Sequence, residues 1–197
     1  SLLGPSAIVE GLALKDKMQV LVGMRYRNNS LFIENSETES NFYPVFTDVQ
    51  SYLNYQFTDR LLVEFLGTYS QNTYEFTPYT RRTNFGTVTN PFALVINYEG
   101  EEEDSYTTLF GALKGTYAIN DAWHVQLITS AYDTQEEEYY DIIAAYGLGN
   151  TNTDFGSDDF GDVEFLQSVG QQHDHARNDL KANIYNAELR TNYRKNQ

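Results

Sequence analysis

Residues 49–69 carry a hydrophobic pattern that much of the chain repeats. Val49, Leu53, Tyr55 and Phe57 share one face of an extended chain, whereas Gln50, Asn54 and Gln56, joined by Tyr52, share the other. After Thr58-Asp59-Arg60 the odd positions are again mostly apolar (Leu61, Val63, Phe65, Tyr69), and Glu64, Thr68 and Ser70 fall among the even ones. Side chains of a strand point alternately to opposite faces, so the pattern predicts a hairpin with one apolar and one largely polar face. The same alternation recurs at Met18, Val20, Val22, Met24 and Tyr26, and at Leu109, Gly111, Leu113, Gly115 and Tyr117. It returns at Trp123, Val125, Leu127 and Ala131, and once more at Tyr185, Ala187, Leu189 and Tyr193. A short extended stretch at Ser6–Ala13 precedes them, and the chain ends near Arg194 as if entering another turn.

About seven strands follow from this reading, and their connections separate into two kinds. Links at 15–17, 58–60 and 120–122 are short. The stretches 28–44, 77–104 and 147–175 are rich in polar residues, Gly or Pro and read as long loops. Short turns at one end and long loops at the other are the habit of outer-membrane barrels, whereas a soluble sandwich scatters its loop lengths over both ends. Aromatic residues near both ends of the apolar face fit the interfacial girdles of such barrels: Tyr55, Phe57, Tyr69, Tyr117, Trp123 and Tyr193. The strands near 61–76 and 123–140 look long, as they would if they ran on past a membrane. Seven strands leave two open edges, which lipid does not tolerate, so the expected fold is all-β: an antiparallel transmembrane arc of a larger barrel.

Composition narrows the classes. The chain has 197 residues and no cysteine, which removes disulfides and thiolate metal sites. Mean hydropathy is −0.52. The longest apolar or glycine run, from Ile142 to Gly149, has eight residues, well short of the roughly 20 of a membrane helix. A net charge of −15 argues against nucleic acid. Of the 28 acidic residues, 18 lie in or beside the expected loop end, whereas the turns carry Lys15, Lys17, Arg60 and Lys195. The start, Ser-Leu-Leu-Gly-Pro, shows no secretory signal, and an internal piece of a longer chain is the expectation.

Several phrases resemble one family. Gly23-Met-Arg-Tyr-Arg-Asn-Asn29, Phe46-Thr-Asp-Val-Gln50, Phe65-Leu-Gly-Thr-Tyr-Ser70 and Thr83-Asn-Phe-Gly-Thr87 are similar to the front half of the barrel in TonB-dependent outer-membrane receptors. Leu109-Phe-Gly-Ala-Leu-Lys114, Gly156-Ser-Asp-Asp-Phe-Gly161 and His175-Ala-Arg-Asn178 continue the likeness, which is nearest to the branch with an N-terminal carboxypeptidase-regulatory-like domain. The resemblance implies part of a barrel of about 22 strands around a plug, in a Gram-negative outer membrane. It also implies uptake of a ligand caught by extracellular loops, with energy supplied by TonB through an N-terminal box. Neither plug nor box is read within these residues. The partners implied are outer-membrane lipid, the remaining barrel and plug, TonB, and a larger outer-membrane assembly. The alternative is a non-transporting surface protein whose barrel is a scaffold for adhesive or assembly-related loops, and a soluble all-β binding domain is a third reading.

Candidate chemistry is sparse. Arg25, Arg27, Glu64 and Lys114 fall on the polar face, which a barrel would turn to its lumen. Asp154, Asp158, Asp159 and Asp162 supply oxygen ligands of the kind Ca²⁺ takes, without the EF-hand pattern. His173 and His175 share a strand face, yet the sequence shows no third ligand of clear spacing. No Gly-x-Ser-x-Gly or other nucleophile motif is present, so no enzyme activity and no cofactor are expected.

Overall fold

A computed structural model describes residues 4–29 and 42–194. Every regular element among them is a strand: β1 Ser6–Ala13, β2 Met18–Asn28, β3 Phe42–Thr58, β4 Leu61–Phe76, β5 Arg81–Thr87, β6 Asn90–Ala118, β7 Trp123–Thr151 and β8 Val163–Tyr193. They form one antiparallel sheet in the order β1-β2-β3-β4-β6-β7-β8, with β5 paired to β6 off that path. The all-β antiparallel expectation holds, and the seven alternating strands form the continuous path. The sheet is open and does not close into a barrel.

Two of the expected loops are largely sheet. In 77–104, β5 and the first half of β6 make a hairpin that turns at Val88 and Thr89. Both β4 and β5 run antiparallel to β6 along the same edge, so β5 prolongs β4 after a break at residues 77–80. Pro78 lies in that break and has no N–H to give a ladder. Opposite it, Gly100 adopts φ +98°, where a Cβ would stand 1.9 Å from the Asp141 carbonyl oxygen, so only glycine fits the kink. The Pro and Gly that punctuate this stretch therefore mark a break and a kink within sheet. In 147–175 the irregular segment is only 152–162. Gly147 and Gly149 sit in β7 beside register shifts that take up the irregularity. Of the third expected loop, 28–44, residues 30–41 lie outside the described residues, as do 195–197. The acids at 99–104 and 133–141 accordingly belong to strands β6 and β7.

Strand length is the main feature of the architecture. β6 and β7 have 29 residues each and β8 has 31, against the roughly 9–11 that a tilted membrane-crossing strand needs. One end is closed by the short turns before β2, β4 and β7; the strands run far past any single span at the other.

The sheet is a single layer. Among the described residues the buried hydrophobic side chains are Ala93 and Ala144, and no large side chain is fully buried. The accessible surface is 14209 Å², where a compact chain of 22.6 kDa would expose about 9,500 Å². Large apolar side chains are exposed on it, among them Met24, Phe65, Leu113 and Leu127. No helix among the described residues is long and apolar enough to cross a membrane, which leaves crossing by strands open.

Candidate functional site

Register sorts the side chains into two faces, because paired residues of an antiparallel ladder point the same way. On one face the rows Val63–Gly115–Leu127–Leu189, Phe65–Leu113–Thr129–Ala187 and Gly67–Gly111–Ala131–Tyr185 run across β4, β6, β7 and β8. The same rows continue leftward through Tyr55 to Met18, Leu53 to Val20, and Ser51 to Val22. This apolar band begins at Leu61 and Tyr117 and ends at the row of Tyr69, Leu109, Asp133 and Asn183. Its height on β4, Leu61 to Tyr69, matches a 9–11-residue span. Met24, Leu109, Leu113, Leu127 and Leu189 are each about half exposed or more.

All six expected interface aromatics lie on this face. Tyr55 and Phe57 stack edge to face at 4.3 Å, and Trp123 and Tyr193 lie 5.0 Å apart, all at the turn end beside Tyr117. Tyr69 marks the far boundary, and its hydroxyl donates to Gln71 Oε1 at 3.2 Å. A ring lying over apolar neighbours with its hydroxyl on the first polar position beyond them suits a boundary between grease and water. Inside the band the Phe65 ring covers Gly67, where a Cβ would meet ring carbons at 2.9 and 3.0 Å, so the aromatic shelters the bare strand. A shallow groove of about 440 Å³ follows Ser51, Gly67, Gly111 and Ala131 across the face.

The opposite face carries ion pairs and hydrogen-bonded polar groups, with apolar side chains such as Leu21, Leu66, Phe110 and Ile184 among them. Arg25 reaches Asp48 with Nε and Nη2 at 2.9 and 2.5 Å, and Ser70 Oγ donates to the other carboxylate oxygen at 3.2 Å. Glu64 is held by Lys114 Nζ at 2.7 Å and by the Tyr52 hydroxyl at 2.8 Å. Arg27, in register with Phe46, sits two residues from Arg25 and so on the same face. Thus Arg25, Arg27, Glu64 and Lys114 do share one face, and the structure supplies Asp48 and Tyr52 as partners that sequence reading missed. A register is needed to see Asp48 opposite Arg25; alternation alone gives only the face.

Beyond the band the polar face turns acidic. Glu102, Asp104 and Glu138 occupy adjoining rows of β6 and β7. Burial, then the charges of Asp104 and Glu138, raises the carboxyl of Glu102; burial, then Glu138, raises that of Asp104. Tyr106 donates to Glu138 Oε1 at 2.7 Å, and that bond, ahead of burial, pushes its hydroxyl up to about 12.

The four expected calcium ligands are not gathered. In segment 152–162 Asp154 Oδ1 accepts from the Gly156 N–H at 2.9 Å, and Ser157 N–H returns to the Asp154 carbonyl at 3.0 Å. Asp159 and Asp162 are tied by backbone turns, and Arg82 Nη2 caps the Gly161 carbonyl from β5. Such local turns account for Asp and Ser in this loop. The His pair differs from expectation. Asp141, placed on β7 by register opposite His175, brings a third donor: His173 Nε2 lies 2.6 Å from Asp141 Oδ1 and His175 Nδ1 3.7 Å from Oδ2. The bond with His173, offset in part by desolvation, holds the Asp141 carboxyl below its usual value. Among the described residues this is the group of at least three metal-ligating side chains whose donor atoms lie close together.

No family model, no curated protein and no solved structure matches the chain.

Proposed function

We propose that the chain is part of the wall of a TonB-dependent transport barrel in a Gram-negative outer membrane. In this reading it contributes membrane-crossing strands and tall extracellular walls to ligand uptake. The apolar band carries the reading: it is continuous on one face, is one span high, and is flanked by aromatics at both boundaries. The opposite face, with its ion pairs Arg25–Asp48 and Glu64–Lys114, suits a hydrated lumen or the surface of a plug. The edges of β1 and β8 are left for further strands of the same barrel to cover.

The turn end then faces the periplasm, and segment 152–162 the outside. These 197 residues hold no cysteine, so single cysteines placed in them report sidedness directly on a cysteine-free background of the full-length protein. A membrane-impermeant maleimide applied to intact cells should label Asp158→Cys and leave Asp121→Cys unlabelled until the cells are opened. Labelling at Asp121 in intact cells would overturn the topology. The second arm is retention of the full-length protein on immobilised TonB C-terminal domain. Correct sidedness without retention would favour a surface scaffold over a transporter.

A further inference from the structure

We propose that Asp141, His173 and His175 form a three-ligand site for a late first-row divalent ion such as Zn²⁺, on the sheet face beyond the apolar band. Alternate residues of β8 put both imidazoles on one face, and the β7–β8 register sets Asp141 directly opposite His175. The donors are His173 Nε2, His175 Nδ1 and an Asp141 oxygen, all within 4.8 Å of one another. Two imidazole nitrogens and one carboxylate oxygen form a donor set that suits Zn²⁺ and its neighbours, and three protein ligands leave a fourth position for water or another ligand.

A tetrahedral ion with bonds of about 2.0–2.1 Å needs donors roughly 3.3–3.5 Å apart. The 2.6 Å contact of His173 with Asp141 must therefore open, and separations of up to 4.8 Å must close by at most roughly 1.5 Å. All three side chains are about half exposed, so rotation about their own χ angles can supply that movement without disturbing the ladder. Glu101 is the register partner of Asp141 on β6 and lines a hollow with Asp141 and Arg177, where it can accept from a bound water. Arg177, two residues from His175, is the opposing influence, since its charge also acts on Asp141. The inference stands apart from the transport reading, because it uses only the β6–β7–β8 register.

The simpler role for these groups is a surface His–Asp hydrogen bond, and direct metal binding distinguishes the two. The full-length protein in detergent is stripped with chelator and titrated with Co²⁺, whose visible d–d absorption reports ordered low-symmetry coordination, followed by displacement with Zn²⁺. One equivalent with micromolar affinity is expected. His173→Ala, His175→Ala and Asp141→Asn should each weaken binding by more than about tenfold. Asp174→Asn is the control: its carboxylate points to the other face, where it accepts from Gln172 Nε2 at 2.8 and 3.0 Å, and it should leave binding unchanged. Circular dichroism of each variant separates lost ligands from lost fold. No saturable absorption at millimolar Co²⁺ would overturn the site. So would binding that survives His173→Ala with His175→Ala, or binding that falls equally with Asp174→Asn. Full affinity in Asp141→Asn would remove the carboxylate from the site and refute the three-ligand arrangement.

Discussion

The lower and upper parts of the same sheet differ most on one face. Along β4, β6, β7 and β8 the band face reads Phe65, Leu113, Thr129 and Ala187 in its middle row. Three rows higher it reads Gln71, Thr107, Gln135 and Lys181, and the next row is Thr73, Ser105, Glu137 and Asp179. Backbone, pairing and parity are unchanged across the boundary. The opposite face carries charged residues on both sides of it, from Glu64 and Lys114 below to Glu102 and Glu138 above, with Leu66, Phe110 and Ile184 among the lower ones. A hydrophobic core would relate the change to a second packed layer, and the described residues form none. On the transport-barrel reading the change would follow the surroundings of the strands, an apolar medium for the height of a single span and water beyond it.

Introducing the same side chain on both sides of the boundary gives the largest expected contrast. Phe65 lies midway between Leu61 and Tyr69, so Phe65→Arg would put a guanidinium near the bilayer midplane, at a cost of about 2–4 kcal/mol. Gln135→Arg keeps the face and the strand type but lies above the band, and should change stability by no more than about 0.5 kcal/mol. Unfolding free energies of the full-length protein refolded into bilayers measure both. Equal costs would erase the distinction between the two regions.

A smaller contrast lies across the sheet from Phe65. Glu64, about one-fifth exposed, holds Lys114, about one-third exposed, at 2.7 Å. Lys114→Met leaves the less exposed carboxylate with Tyr52 alone and should cost about 1–2 kcal/mol. Glu64→Gln leaves an ammonium whose long stem can carry it to water, so its cost should be about 0.5–1 kcal/mol. Lys114→Met with Glu64→Gln should recover part of the first loss. The reverse order of the single costs would mean that this face is not wet.

Alternation made the lower half legible in the sequence. Leu61 to Tyr69 repeats with period two, and a face follows from parity alone. The upper half was legible as chemistry but not as structure. Residues 92–99 contain the apolar and aromatic run Phe-Ala-Leu-Val-Ile before Tyr98, yet Pro91 and Gly100 on either side disguise it as loop. Only the ladder shows Pro91 in register with Gly86 near the hairpin tip, and Gly100 at a kink. The candidate metal cluster failed for another reason. His173 and His175 share a face by parity, but Asp141 lies 32 residues before His173, and nothing local states which β7 residue stands opposite. Register is set by the whole ladder and by the bulges at Gly147 and Asn150.

The smallest effect is a pH dependence confined to the upper half. Glu102 and Asp104 have carboxyls raised from 4.5 and 3.8, by burial first and then by neighbouring acids. The folded protein therefore holds these protons more tightly than the unfolded chain. That contribution to stability is fully present below the ordinary values and is lost as pH rises through the raised ones. At neutral pH the ionised acids oppose one another, so Glu102→Gln and Asp104→Asn should each stabilise by roughly a few tenths of a kcal/mol, since the site is partly wet. Below the ordinary carboxyl values the gain should vanish. Tyr106 adds a second window through its bond to Glu138: its hydroxyl is raised from 10 to about 12, so its contribution holds below 10 and is lost as pH climbs to about 12. Tyr106→Phe should abolish that alkaline loss while leaving the acidic window in place. Thermal melts of the bilayer-reconstituted protein against pH, for wild type and these three variants, resolve both windows. A Glu102→Gln gain of the same size at acid and neutral pH would show that charge repulsion is not its source.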